Sequence, residues 1–190
     1  MPDKPQYNPD IHHRQSIRLK GYDYSLAGAY FLTICAQNRE CLFGNIECGK
    51  MVLNEAGRMV EKCWHDLPNH YENAGLDEFI IMPNHVHCII IIMDNETRAD
   101  MESWVDNGSR ADMESAPTTV DSMVQSFKRH STIEYIKMVK NNVLPPFNKR
   151  VWQRNYYEHI IRDENELNNI RKYIFNNPAN WVTDEENPEF

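Results

Sequence analysis

The sequence lacks most of the features that would place it quickly. No apolar run approaches the roughly 20 residues that a membrane-spanning helix needs. The opening Met1-Pro2-Asp3-Lys4-Pro5 carries no hydrophobic leader region, so a cytoplasmic protein without a membrane partner is expected. Glycine is scarce, 7 of 190 residues, and none falls in a Walker or Rossmann pattern, which argues against a nucleotide cradled on a glycine-rich loop. The five cysteines (Cys35, Cys41, Cys48, Cys63 and Cys88) include no Cys-x-x-Cys pair, and Cys35, Cys63 and Cys88 lie in apolar patterns. They read as reduced, buried thiols rather than as a zinc knuckle. Nor is there an overall excess of base: the net charge is -8.

That charge is unevenly spread. Residues 94–121 hold eight acids against Arg98 and Arg110, a net of -6, whereas residues 122–162 hold eight bases against Glu134 and Glu158, a net of +6. The acidic total therefore does not exclude a face for nucleic acid. Lys128, Arg129 and Arg154 are candidate phosphate contacts, or else bases that solvate a helix and a loop. Arg14 and Lys20, where a polar arm of residues 1–15 joins the body, carry the same two readings.

Hydrophobic periodicity organises the rest. Residues 29–35 are β-rich and read as a first core strand. Residues 42–53, with Gly44 and Gly49 as turn signals, read as a small hairpin. Ala56, Met59, Val60, Cys63, Trp64 and Leu67 recur at helical spacing between a capping Asn54 and Pro68. Two strands follow, 76–82 and 85–93, the second with an unbroken apolar run after Cys88 that requires burial on both faces. Arg98-Ala99-Asp100-Met101-Glu102-Ser103 recurs as Arg110-Ala111-Asp112-Met113-Glu114-Ser115, which marks about 94–119 as a flexible, duplicated acidic insertion. A second helix is expected over 120–140 and a strand over 151–161. Asp163 and Glu166 then have capping-box spacing before a last helix that ends at Pro178. The tail 183–190 is acidic and reads as frayed. Strand-helix-strand twice over is an α+β, ferredoxin-like or RRM-like plan: a four-stranded antiparallel sheet with two helices on one face, in one domain spanning 1–190. The extra C-terminal helix is left to cover the other face.

Chemistry concentrates at Met82-Pro83-Asn84-His85-Val86-His87. Side chains alternate along a strand, so His85 and His87 share a face, and neutral imidazole is a common ligand of divalent metals. On the last helix Tyr173 and Asn177 are four residues apart and also share a face. Packed over the strand, Asn177 would add an amide oxygen, a set suited to Mg²⁺ or Mn²⁺ bound largely through a substrate phosphate. Tyr173 would then lie one turn away as a nucleophile. His159 reads as a substrate contact, as an orienting group or as a structural imidazole.

Three segments occur together in order: Ile81-Met82-Pro83-Asn84-His85-Val86-His87; Val151-Trp152-Gln153-Arg154-Asn155-Tyr156-Tyr157-Glu158-His159-Ile160-Ile161-Arg162; and Tyr173-Ile174-Phe175-Asn176-Asn177-Pro178. In this the chain resembles the single-tyrosine HUH transposases, in particular the REP-associated tyrosine transposases. The resemblance implies a metal-dependent endonuclease and strand transferase acting on single-stranded DNA beside REP-like hairpins, as a monomer or a homodimer. It implies that His85 and His87 hold the metal, that Asn177 matches the third-ligand position, and that Tyr173 becomes linked to a 5′-phosphate. The insertion at about 94–119 is a departure from the family pattern. Two rivals stand beside this reading. A non-catalytic RRM-like module would need exposed aromatics on the central strands. A histidine-triad hydrolase would need a third histidine where Ile89 stands.

Overall fold

The structure, a computed structural model, describes residues 23, 25–71, 73–93 and 118–188. The N-terminal arm, with Arg14 and Lys20, and insertion residues 94–117 lie outside the described residues. The elements run β1 (Gly28–Cys35), β2 (Gly44–Glu47), β3 (Lys50–Leu53), α1 (Glu55–His65), β4 (Ala74–Ile81), β5 (His85–Ile92), α2 (Val120–Lys140), β6 (Tyr157–Ile161) and α3 (Glu164–Asn176). A 3-10 stretch, Asn177–Thr183, follows directly. Among the described residues no helix is long and apolar enough to cross a membrane.

The main sheet has strand order β4-β5-β1-β6, every neighbouring pair antiparallel, as the ferredoxin-like plan requires. β5 is central, and the apolar run that demanded burial on both faces explains why. Tyr30, Leu32 and Ile34 of β1 and Val86, Cys88 and Ile90 of β5 point to one side. There they meet α1 through Ala56, Val60, Cys63 and Trp64, and α2 through Val120, Met123, Val124 and Phe127. Each large apolar side chain so buried contributes about 1.5–3 kcal/mol. On the other side Phe31, Ile89 and Ile161 pack against Ile174 of α3. Alternation along β5 therefore puts His85 and His87 on the α3 side, in line with Ile89. β1 pairs with β5 over its full length, setting Thr33 opposite His87 and Cys35 opposite His85.

The caps at Asn54 and Asp163 follow the sequence signals, and Thr119 adds one that was not expected. Gly57 N–H donates to Asn54 Oδ1 at 2.9 Å, and Ser122 N–H donates to Thr119 Oγ1 at 3.1 Å in a full capping box. At α3 the Glu166 N–H donates to Asp163 Oδ1 at 2.9 Å, but the return bond shifts by one residue. Glu166 Oε2 accepts from the N–H of Arg162, and Oε1 lies 2.7 Å from His159 Nε2. Gly57 has a packing reason to be glycine: a Cβ there would lie 2.2 Å from the Phe43 carbonyl oxygen.

Two expectations change. The strand foreseen over 151–161 is ordered as β6 only from Tyr157. Upstream, Trp152 makes an isolated bridge with Ala36, and its indole N–H donates to Ser131 Oγ at 2.8 Å. The β-rich composition of 151–152 reflects a plug into the helix-side core, not a ladder. The tail is not frayed at its start. After Thr183 the chain turns back across the end of the sheet, where Asn84 Nδ2 donates to the Glu186 carbonyl at 2.7 Å. Arg39 Nε also pairs with Glu186 Oε2 at 2.9 Å.

Candidate active site

The opening residues of β5 place the paired imidazoles, and their neighbours fix which nitrogens face each other. Asn84 Nδ2 donates to two carbonyls, Arg39 O at 3.2 Å and Glu186 O at 2.7 Å, so the amide is locked with Oδ1 toward His85. That oxygen can only accept, and it lies 2.8 Å from His85 Nδ1. The His85 proton is therefore on Nδ1, and Nε2 presents its lone pair. His87 Nε2 faces it at 3.0 Å, while His87 Nδ1 sits 2.9 Å from Thr33 Oγ1. Without an ion, His87 Nε2–H donates to His85 Nε2; were the threonine oxygen to accept from His87 Nδ1, both Nε2 lone pairs would be free to meet one ion.

Both rings are buried, and burial disfavours their charged forms. The His85 imidazole is pushed down to about 3, chiefly by burial and further by the Arg39 guanidinium. His87 lies well below its ordinary value, through burial first and then the neighbouring His85. Both are neutral at pH 7, the form that ligates a metal.

α3 supplies the phenol. Bidentate pairing of Arg171 with Asp77 of β4, at 2.7 and 2.5 Å, and the seating of Ile174 on Phe31, Ile89 and Ile161 hold the helix on the sheet. One residue before Ile174, the Tyr173 hydroxyl lies 3.3 Å from His87 Nε2, and its ring meets Phe31 edge-on. Burial and the Asp184 charge raise the phenol above its ordinary value, while the Asn177 amide pulls the other way. Beside the phenol opens a groove of about 790 Å³.

Asp184 is the residue that sequence reasoning missed. Its carboxylate and the two imidazoles offer ligand atoms within 4.8 Å of one another. Asn177 is brought to the same place: its Nδ2 donates to Asp184 Oδ2 at 3.1 Å, and its Oδ1 is buried without a hydrogen-bond partner. An orphaned amide oxygen beside a carboxylate and two neutral imidazoles is a donor set that fits a divalent cation. The only sequence signal for Asp184 was its position in an acidic tail, which reads equally well as a solvated end.

The other sequence candidates lie apart from this cluster. His159 ties β6 to the start of α3 through Glu166. The Lys128 ammonium is occupied by the carbonyls of Gln153, Arg154 and Asn155 at 3.0, 3.4 and 3.1 Å, and burial lowers it to about 8. Arg129 is exposed on α2, and Arg154 lines a second cleft next to the groove.

No protein-family model matches the chain. An uncharacterised protein of Haemophilus influenzae is 43% identical over 181 residues, covering 95% of this chain and 96% of that protein. The chain belongs to that protein's family. A second Haemophilus influenzae protein, named provisionally as a REP-associated tyrosine transposase, is 23% identical over 169 residues, 83% of this chain and 73% of its own length. A solved structure of a REP-associated tyrosine transposase bound to a REP hairpin superposes with a TM-score of 0.53 at 16% identity. The match covers 85% of this chain and 73% of that one. The fold is therefore shared with that transposase.

Proposed function

We propose that this family member is a metal-dependent single-stranded DNA endonuclease and strand transferase that cuts beside hairpins with Tyr173 as its nucleophile. One observation carries the reading: a phenol 3.3 Å from one of two neutral imidazoles whose Nε2 atoms converge at 3.0 Å. The fold shared with a transposase bound to a REP hairpin supports the choice of substrate.

His85, His87 and Asp184 would hold the ion, Mg²⁺ or Mn²⁺, with the free Asn177 Oδ1 as a further donor. When bound, it supplies positive charge that polarises the phosphodiester and offsets the cost of the phenolate. That cost is about 4 kcal/mol at pH 7 for a phenol titrating near 10, and burial and Asp184 add to it here. Tyr173 Oη attacks phosphorus, the bond to the 3′-oxygen breaks, and the phenol proton ends on the departing 3′-hydroxyl. The product is a 5′-phosphotyrosine that keeps the phosphodiester energy for rejoining. Asn84 and Thr33 keep both imidazoles in register, and the Asp77–Arg171 pair holds α3 so that the phenol stays within reach.

The non-catalytic RRM-like alternative is disfavoured because the sheet face it would use is covered: Ile89 is fully buried and Phe31 nearly so under α3. The test incubates a 5′-labelled and a 3′-labelled hairpin oligonucleotide, each with single-stranded flanks, with the protein and Mn²⁺ on denaturing gels. A protein-linked band is expected with the 3′-labelled strand alone, and it disappears in Tyr173→Phe. An adduct that persists in the variant removes Tyr173, and binding without any cleavage returns the RRM-like reading.

A further inference from the structure

The groove at Tyr173 is poorly suited to hold a polyanion by itself, because its lining includes Asp184, Glu185 and Glu186 and no lysine or arginine. Apart from the charge that an ion would bring, the field there repels phosphate. Next to it lies a cleft of about 530 Å³ lined by Gln37, Lys149, Arg150, Gln153, Arg154 and Asn155, three cations and no acid. Gln153 and Asn155 line both spaces, so the two adjoin. Lys149, Arg150 and Arg154 are exposed, and among the described residues none of them is paired with an acid.

The rim that carries these cations is fixed from beneath. Val151 and Trp152 are buried. Gln37 N–H donates to Val151 O at 2.8 Å, and Gln153 N–H donates to Cys35 O at 2.9 Å, which ties the loop to the end of β1. The Lys128 ammonium gathers the three carbonyls of residues 153–155. Lys149 itself adopts φ +62°, an uncommon backbone for a residue with a side chain, held at the edge of the cleft.

We infer that Lys149, Arg150 and Arg154 form a rail for the sugar-phosphate backbone of single-stranded DNA, holding the nucleotides next to the linkage presented to Tyr173. The site rests on the nuclease reading for its place in the reaction but needs neither ion nor cleavage to bind. Gln37, Gln153 and Asn155 add amide groups able to meet base edges at the junction. Lys128 is a positioning residue: it shapes the rail without touching phosphate.

The test measures fluorescence anisotropy of labelled dT12 and of a blunt hairpin without flanks, in chelator, at several salt concentrations. Single-strand binding loses a slope of about 0.7 in log K against log salt for each phosphate contact removed. Arg150→Ala with Arg154→Ala, both on the surface, is expected to weaken dT12 binding about tenfold or more at 0.1 M salt and to flatten the slope by about 1.4. Blunt-hairpin binding stays unchanged. Lys128→Met is expected to weaken dT12 binding with its slope intact, whereas a direct phosphate contact would flatten the slope by about 0.7. Unchanged dT12 binding in the double variant overturns the rail, as does an equal loss on the blunt hairpin, which would assign the cations to the duplex stem. Adduct formation by the unaltered protein is scored separately. A rail that binds without any adduct leaves this inference standing while the nuclease reading falls, and an adduct with an indifferent double variant does the reverse.

Discussion

Acid should weaken the fold through the paired imidazoles well before it reaches the carboxylates. His85 is fully buried and titrates at about 3 in the fold, against about 6.5 for an exposed ring. The folded value lies below the unfolded one, so the neutral ring's contribution is complete above about pH 6.5. It is lost as pH falls below that, until protonation of the folded state near 3 ends the loss. At pH 5 the unfolded ring is protonated by about thirty to one while the folded ring is still neutral, a loss of about 2 kcal/mol from His85 alone. His87 acts in the same direction. Urea unfolding in chelator at pH 7.5 and pH 5 measures the drop, and His85→Gln isolates the ring. The variant starts less stable but should lose about 2 kcal/mol less on acidification. Equal losses in the two proteins would refute the argument that burial keeps this ring neutral. The Asp77 carboxylate does not confuse the comparison. Its pairing with Arg171 holds it below the ordinary value, so its contribution persists above about pH 4 and is lost only below that.

Other expectations are simpler. Saturating Mn²⁺ should raise the melting temperature, by about 1.4 kcal/mol of stability at ten times its dissociation constant, and His87→Ala should abolish the increase in a thermal-shift assay. Ile174→Ala removes the fully buried anchor of α3, so unfolding should show a loss of about 3 kcal/mol, with adduct formation falling further than stability alone predicts. Arg171→Ala breaks a pair whose arginine is 39% exposed, so the cost in urea titrations should be about 1 kcal/mol, with a slower cleavage rate as Tyr173 loses its fixed position.

The parts of this molecule that were legible in its sequence are those whose signal is local. Period two places His85, His87 and Ile89 on one face, and the apolar run behind them makes β5 central whatever else happens. Asn54 and Asp163 cap helices through atoms three residues away. Illegible were the features whose meaning depends on a distant partner. Asp184 reads as tail until Asn177 and the imidazoles are seen beside it. Lys128 reads as a surface base until its ammonium is found under the 153–155 carbonyls. Trp152 has the composition of a strand and works as a plug because Ser131 waits for its indole.

The two halves of the site also differ in how firmly they are anchored. The imidazoles stand on a strand bonded along both edges, while the phenol rides on an outer helix seated by one short apolar seam and the Asp77–Arg171 and His159–Glu166 pairs. Amide exchange should accordingly release α3 at a lower free energy than β5, so the phenol can part from the imidazoles while the body of the protein stays folded.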